Sequence, residues 1–284
     1  MPMVFEPEPF TRIVWRWGTP AIYRLALEKS NSLVNYAEYE MVLRGYRKCD
    51  VFHIMPESMF EQLKKIEGDG LYFIPIRKAK KVSGFAHRFY EPQKPEEVMV
   101  YGVVARNYHD AKKFAEAHEG MTNHKTIGKL LGYPDCCIEF FSKHFSSGML
   151  DLIPVIEGEQ VAELNVMIRY FGPRAIPFFP CSWNCKEAKK FADRFLEIMR
   201  ERDERTVELM LELLSMPARW SMNKAVIQVD HLLFVGLANG FWLDKPVTKF
   251  WMPDGLERWK NQFPIHAKWV SYLYKQEKIT LNTS

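Results

Sequence analysis

Two pairs of cysteines, each announced by a proline and each opening a run with helical spacing, constrain this chain more than any other feature. The first is the adjacent pair Cys136 and Cys137 in LLGYPDCCIEFF, and the second is Cys181 and Cys185 in PFFPCSWNCKEA. Cys185 continues an apolar stripe through Ala188, Ala192, Phe195 and Met199, at steps of three and four residues. A helix with that stripe turns the Cys185 sulfur toward the core. Cys137 shares a side with Phe141 and Phe145, and Cys136 is rotated toward Phe140. The start of a helix leaves N–H groups unpaired and carries the positive end of the dipole, which favours thiolate over thiol. Inward-facing thiolates from two segments need a cation, so the fold is expected to bring both pairs to one metal.

Four sulfurs satisfy tetrahedral zinc and equally an iron–sulfur cluster. Adjacent helical residues point about 100° apart, which makes Cys136 and Cys137 awkward partners on one zinc and suits the spread corners of a cluster. Neither the doublet nor C-x3-C is the C-x2-C knuckle of structural zinc sites. The reading therefore favours an iron–sulfur cluster on Cys136, Cys137, Cys181 and Cys185, with zinc as the alternative, and expects the centre to support redox or sulfur chemistry on RNA or a small molecule. Three other readings stay open: a metal-free dithiol oxidoreductase, a binding protein whose metal is purely structural, and inert thiols that only pack, since free cysteine behaves as a small hydrophobe. Cys49 has no partner nearby in sequence and reads as an isolated core or surface thiol.

The surroundings fit a reducing compartment. The N-terminus, MPMVFEPEPF, has acids and prolines where a secretory signal needs basic residues and an apolar run. The longest apolar run, near 232–238, is too short to cross a bilayer. A cytoplasmic address is expected, where thiols stay reduced. At 284 residues and 47% hydrophobic content the chain can bury a large core. Its net charge of +4 permits an acidic partner without requiring one. RNA is the candidate: Arg77, Lys78, Lys80, Lys81 and Arg88 interleave with Phe85, Phe89 and Tyr90 in what reads as a basic loop, combining cations with stacking surfaces.

The expected fold class is α+β. Region 1–120 reads as α/β, with a helical pattern from Pro20 to about Cys49 that SNS could interrupt. DVFHIMP, LYFIPI and VMVYGVVA read as strands, and ESMFEQLKKIEG and HDAKKFAEAHEG as helices. Region 121–216 reads as helical and carries the cysteines. TNHKTIGKLLG is capped by Thr122 or Asn123 and stopped by Gly132, and PDCCIEFFSKHF follows with Pro134 at the first helical position. EGEQVAELNVMIRYFG is expected as a third helix, and 184–216 as the longest. Region 217–284 is expected to contribute two strands around an Asp-His turn, then helices near 256–263 and 267–275.

If all four thiols hold metal, substrate falls to an outer group, and His124, twelve residues before the doublet, is the first candidate for a catalytic role. His144 and Asp135 are read as structural. TIGKLLGYPDCCIEFFSKHF has a helix–turn–helix outline, but its second helix opens with an acid and two thiols where base-reading side chains would be needed, which argues against a transcription factor.

His124 with IGKLLGYPDCCIEFF, and downstream PFFPCSWNCKEA, resembles the GYP-x-CC family of uncharacterised proteins found mainly in archaea and in some bacteria. The resemblance covers about 98–195 and is strongest over 124–141 and 180–185. It points to His124, Gly132, Tyr133, Pro134, Cys136, Cys137, Pro180, Cys181, Ser182 and Cys185. It implies a site and an archaeal cytoplasm, and no particular reaction.

Overall fold

The computed structural model describes residues 12–80, 92–94, 98–119, 123–147, 149, 151–221, 226–229, 233–237 and 248–251. Within them the chain is α+β: long helices pack beside two antiparallel sheets.

The first sheet is β2 (Cys49–Ile54), β4 (Val98–Ala105) and β3 (Tyr72–Lys80), with β4 in the middle. Residues 101–105 of β4 are all buried, because both faces of the sheet are covered. On one face Val103 and Ala105 pack with Phe114 of α3 (Tyr108–Glu119). On the other, Val104 and Ile54 pack with Tyr39 and Val42 of α1 (Ala21–Leu43) and Ile66 of α2 (Met59–Gly68). Arg77, Lys78 and Lys80, expected in a loop, extend β3 instead, where they pair with Tyr101, Val100 and Val98. A strand with polar residues at its end needs only the register of its neighbour, and β4 supplies it. Lys81 and Arg88 lie outside the described residues.

The SNS triplet does not interrupt α1. The Ser30 hydroxyl donates to the Ala26 carbonyl one turn back at 2.5 Å, so a residue that competes for backbone bonds stays inside the helix. The stripe Ala26, Leu27, Leu33, Val34, Ala37 and Met41 packs in the main core with α6 (Lys186–Ser215). The second sheet has the order β1-β7-β6-β5-β8, all antiparallel, from β1 (Arg12–Trp15), β5 (Ala218–Ser221), β6 (Val226–Val229), β7 (Phe234–Leu237) and β8 (Thr248–Trp251). Strand β1 thus joins the later sheet, and the described residues after 217 supply four strands in place of the expected two. The expected Asp-His turn and the two tail helices lie outside the described residues.

The helix expected over 157–172 is absent. The segment forms two single 3-10 turns, Ala162–Leu164 and Arg169–Phe171, joined by irregular chain that itself turns at 167–168. Residues 164–176 are buried without interruption, so there is no polar face for an amphipathic helix to present. Side chains satisfy the backbone instead. Asn165 accepts from the Met167 N–H at 2.9 Å and donates to the Leu214 carbonyl at 2.7 Å.

Candidate metal centre

The doublet is delivered by a tight helix-to-helix turn. Helix α4 (His124–Leu130) is capped by Asn123, whose side chain accepts from the Thr126 N–H at 3.1 Å. It closes as a Schellman motif: the Gly132 N–H reaches the Lys129 carbonyl and the Tyr133 N–H the Gly128 carbonyl. Gly132 has φ +70°, and a Cβ there would also stand 3.2 Å from Cγ of Arg47. Pro134 is the residue before α5 (Asp135–Ser146), one position earlier than expected; its carbonyl accepts from the N–H groups of Cys137 and Ile138 at 3.0 Å. Cys136 and Cys137 therefore sit in the first turn. The two helices lie close enough that a Cβ on Gly128 would fall 2.7 Å from Ile138.

The second pair is held by Trp183. Its N–H donates to the Glu157 carbonyl at 2.8 Å, and its buried indole meets Trp251 edge-on at 5.2 Å. That anchor turns residues 181–185 back toward α5 and starts α6 with Cys185 as its cap residue.

The sulfurs converge. Cys136 and Cys137 Sγ are 3.9 Å apart, Cys136 and Cys185 3.7 Å, and Cys137 and Cys185 3.8 Å. All four Sγ atoms lie within 4.8 Å of one another and could hold a metal ion. The Cys181 N–H points at Cys137 Sγ, at 3.4 Å. No cysteine is in a disulfide. Cys137 and Cys185 are buried, Cys181 is half-buried and Cys136 is exposed, so the group is an inward-facing cluster with one of its residues at the surface.

Burial works against ionisation of the inner sulfurs. Burial, outweighing the Cys181 N–H, and then the neighbouring thiols push Cys137 far above the usual thiol range. Burial and donation toward Cys185 push Cys181 up to about 12. For Cys185 burial also acts upward, yet the Ala188 N–H and the three neighbouring thiols bring it below its ordinary value. A cation is what would let the buried thiols ionise together.

Two buried polar groups that sequence reading missed hold the site in place. Arg47 Nη2 is 2.9 Å from Asp50, with side-chain exposures of 1% and 6%. Its Nε donates to the Leu131 carbonyl at 2.8 Å, and its guanidinium lies 5.6 Å from the Tyr133 ring centre. Arg47 thus ties the turn before the doublet to β2. On the other side, Arg169 pairs with Asp151 at 2.9 Å and stacks 4.3 Å over Phe179, two residues before Cys181. The Tyr170 hydroxyl also donates to Asp151. The only local hint was the R-x-x-D spacing of Arg47 and Asp50; the Arg169–Asp151 pair has none.

The remaining candidates are placed as follows. His124 opens α4, with its ring against Phe141 at 5.4 Å and Phe145 at 4.6 Å, beyond the doublet on α5, and it is not one of the clustered ligands. Burial lowers its pKa. His144 packs on Phe140 at 4.7 Å. Asp135 is exposed, 3.6 Å from Lys129. Cys49 is fully buried in β2, pushed up to about 12 by burial, and stands apart from the cluster. Among the described residues no helix is long and apolar enough to cross a membrane.

Residues 114–215 match the sequence model of a family described as "Protein of unknown function (DUF483)". That stretch runs from within α3 to the end of α6 and contains His124 and all four clustered cysteines. A curated relative from Methanothermobacter thermautotrophicus (strain Delta H), described as "Uncharacterized protein", is 38% identical over 100 residues, 31% of this chain and 49% of the relative. The chain spans about half the length of that relative. No solved structure matches. The matches agree with the resemblance to an uncharacterised, archaeal-associated family and add no activity to it.

Proposed function

We propose that this chain, similar over residues 114–215 to a family of unknown function, is a metalloprotein that holds one tetrahedral zinc ion on Cys136, Cys137, Cys181 and Cys185. The carrying observation is the spacing of the sulfurs. Zinc–thiolate bonds of about 2.3 Å in a tetrahedron separate neighbouring sulfurs by about 3.8 Å. Three pairs stand at 3.7, 3.8 and 3.9 Å, and no pair exceeds 4.8 Å. An iron–sulfur cluster interposes inorganic sulfide and more than one iron, which spreads its thiolates out of mutual contact. The sequence-level preference for a cluster rested on the diverging directions of adjacent helical residues. Here Cys136 and Cys137 nevertheless bring their sulfurs to 3.9 Å, and the objection to a single ion loses its force.

Four protein sulfurs close the coordination of zinc, which makes the ion a clamp in place of a Lewis acid with an open position. It would fasten the first turn of α5, the 181–185 loop and the start of α6 to one another. His124, packed on phenylalanines, fits a supporting role for α5 better than a catalytic one. The free thiols fit a reducing compartment such as the cytoplasm.

Metal analysis of protein purified without oxygen tests the reading. One zinc per chain and a colourless solution are expected, and cobalt substitution should give the intense visible bands of a tetrahedral thiolate site. Iron with acid-labile sulfide in the same preparation, or no bound metal, would overturn it.

A further inference from the structure

Exposure divides the four cysteines unequally, and it points to a modification site. Resting on the zinc reading above, we propose that Cys136 is the sulfur through which hydroperoxides oxidise this centre, with Cys185 as the resolving thiolate and release of the ion as the outcome. Oxidation follows thiolate character and access. Zinc ligation would keep all four sulfurs as thiolates at neutral pH, so access decides among them. Cys136 is exposed while Cys137 and Cys185 are 2% and 8% exposed, and Cys181 is half-buried.

The chemistry balances as follows. The Cys136 thiolate attacks the terminal oxygen of the hydroperoxide; the S–O bond forms and the O–O bond breaks. The departing alkoxide or hydroxide takes a proton from solvent. Cys136 becomes the sulfenic acid, two electrons poorer, and the peroxide is reduced to alcohol or water. The Cys185 thiolate then attacks Cys136 Sγ; the S–S bond forms, the S–O bond breaks, and hydroxide leaves as water after taking a second proton. With hydrogen peroxide, two thiolates, one peroxide and two protons give one disulfide and two waters. The ion has then lost two of its four ligands.

Geometry selects the resolving partner. Cys137 is nearly as close, but its Cα is the next in the chain, about 3.8 Å away across a trans peptide. Disulfides need Cα atoms about 4.4 Å apart or more, so a doublet in a helix cannot close on itself without breaking the first turn. Cys185, on a different segment, stands 3.7 Å from Cys136, nearer than Cys137.

The experiment uses the full chain, loaded with zinc and confirmed by metal analysis to hold it. Sub-stoichiometric hydrogen peroxide with a sulfenic-acid trap should label Cys136 first on peptide mapping. Without the trap, a chromogenic chelator should report zinc release in step with a Cys136–Cys185 disulfide. Cys136→Ser, if it still carries zinc, should release it at least tenfold more slowly. Should that variant fail to bind zinc, the trapping map on the unsubstituted chain decides alone. First labelling at Cys181, or oxidation that leaves zinc bound, overturns the proposal while the zinc reading stands. Absence of zinc from the starting protein overturns the zinc reading instead.

Discussion

Arg47 governs the position of the doublet without touching it. Its guanidinium joins Asp50 on β2 to the Leu131 carbonyl, and so to the turn that presents Cys136 and Cys137. Arg47→Met keeps most of the volume but strands the Asp50 carboxylate, and breaking a buried pair from one side costs about 3–5 kcal/mol. Denaturant unfolding should record that loss, with part recovered in Arg47→Met/Asp50→Leu; a single variant as stable as the parent would refute the role. The pair also has a pH signature. Burial pushes Asp50 up to about 7, over the opposing pull of Arg47. A carboxyl raised in the fold contributes its stability in full below the ordinary value of 3.8, and that contribution is lost as pH rises through about 7. The stability of the parent relative to Asp50→Asn should therefore decline from about pH 4 to 7, and an incline over that window would show the carboxyl to be depressed instead. The thiols were legible in the sequence because proline, dipole and apolar stripe are all local signals. Arg47 was not, since its carbonyl partner is 84 residues away and burial is invisible in a string of letters.

Among the elements, α6 combines a pattern that reads easily with a break that does not. Its stripe from Ala188 to Leu214 announces a long helix, and the 30 residues observed match the expected 184–216 closely. Inside it Asp203 leaves helical geometry, with φ −158° and ψ 84°. Its carboxylate accepts from the Thr206 N–H at 3.0 Å and the Thr206 hydroxyl at 2.7 Å, which is the bonding of an N-cap for the second half. Asp203→Ala should cost about 1 kcal/mol, within the range of lost caps, with Asp203→Asn costing less. Thermal unfolding of the two variants checks this; equal losses would mean that the charge toward Lys29, not the cap, matters. The 157–172 segment is the opposite case. Its apolar residues recur at spacings that suit a helix, yet they serve burial on every side, and the bonds that hold it run through Asn165 and from Arg169 and Tyr170 to Asp151. Periodicity reports a helix only where one face meets water.

At the scale of the molecule, the cores are unequal, and that predicts where loss of the ion would be felt. Cys137 and Cys185 belong to the large core shared by α1, α6 and the second sheet. The β2–β4–β3 sheet has separate small cores on its two faces, filled by Phe114 on one and by Tyr39, Val42 and Ile66 on the other. An ion bound only by the folded chain stabilises it by about 4 kcal/mol when free zinc is a thousandfold above its dissociation constant. Chelation should remove that amount, lowering the unfolding midpoint. The loss should begin locally, because opening is cheapest where contacts are few and backbone meets solvent. Hydrogen exchange on the chelated protein should therefore quicken first in the opening turn of α5, in residues 181–185 and in the first turn of α6. The amides of β4, central in its sheet and buried from Tyr101 to Ala105, should keep their protection under the same conditions. Exchange that rises equally in β4 and α5 would mean that the centre supports the whole fold. Exchange unchanged at both would mean that the packing of Trp183 and Arg47 already holds the cysteines where they are.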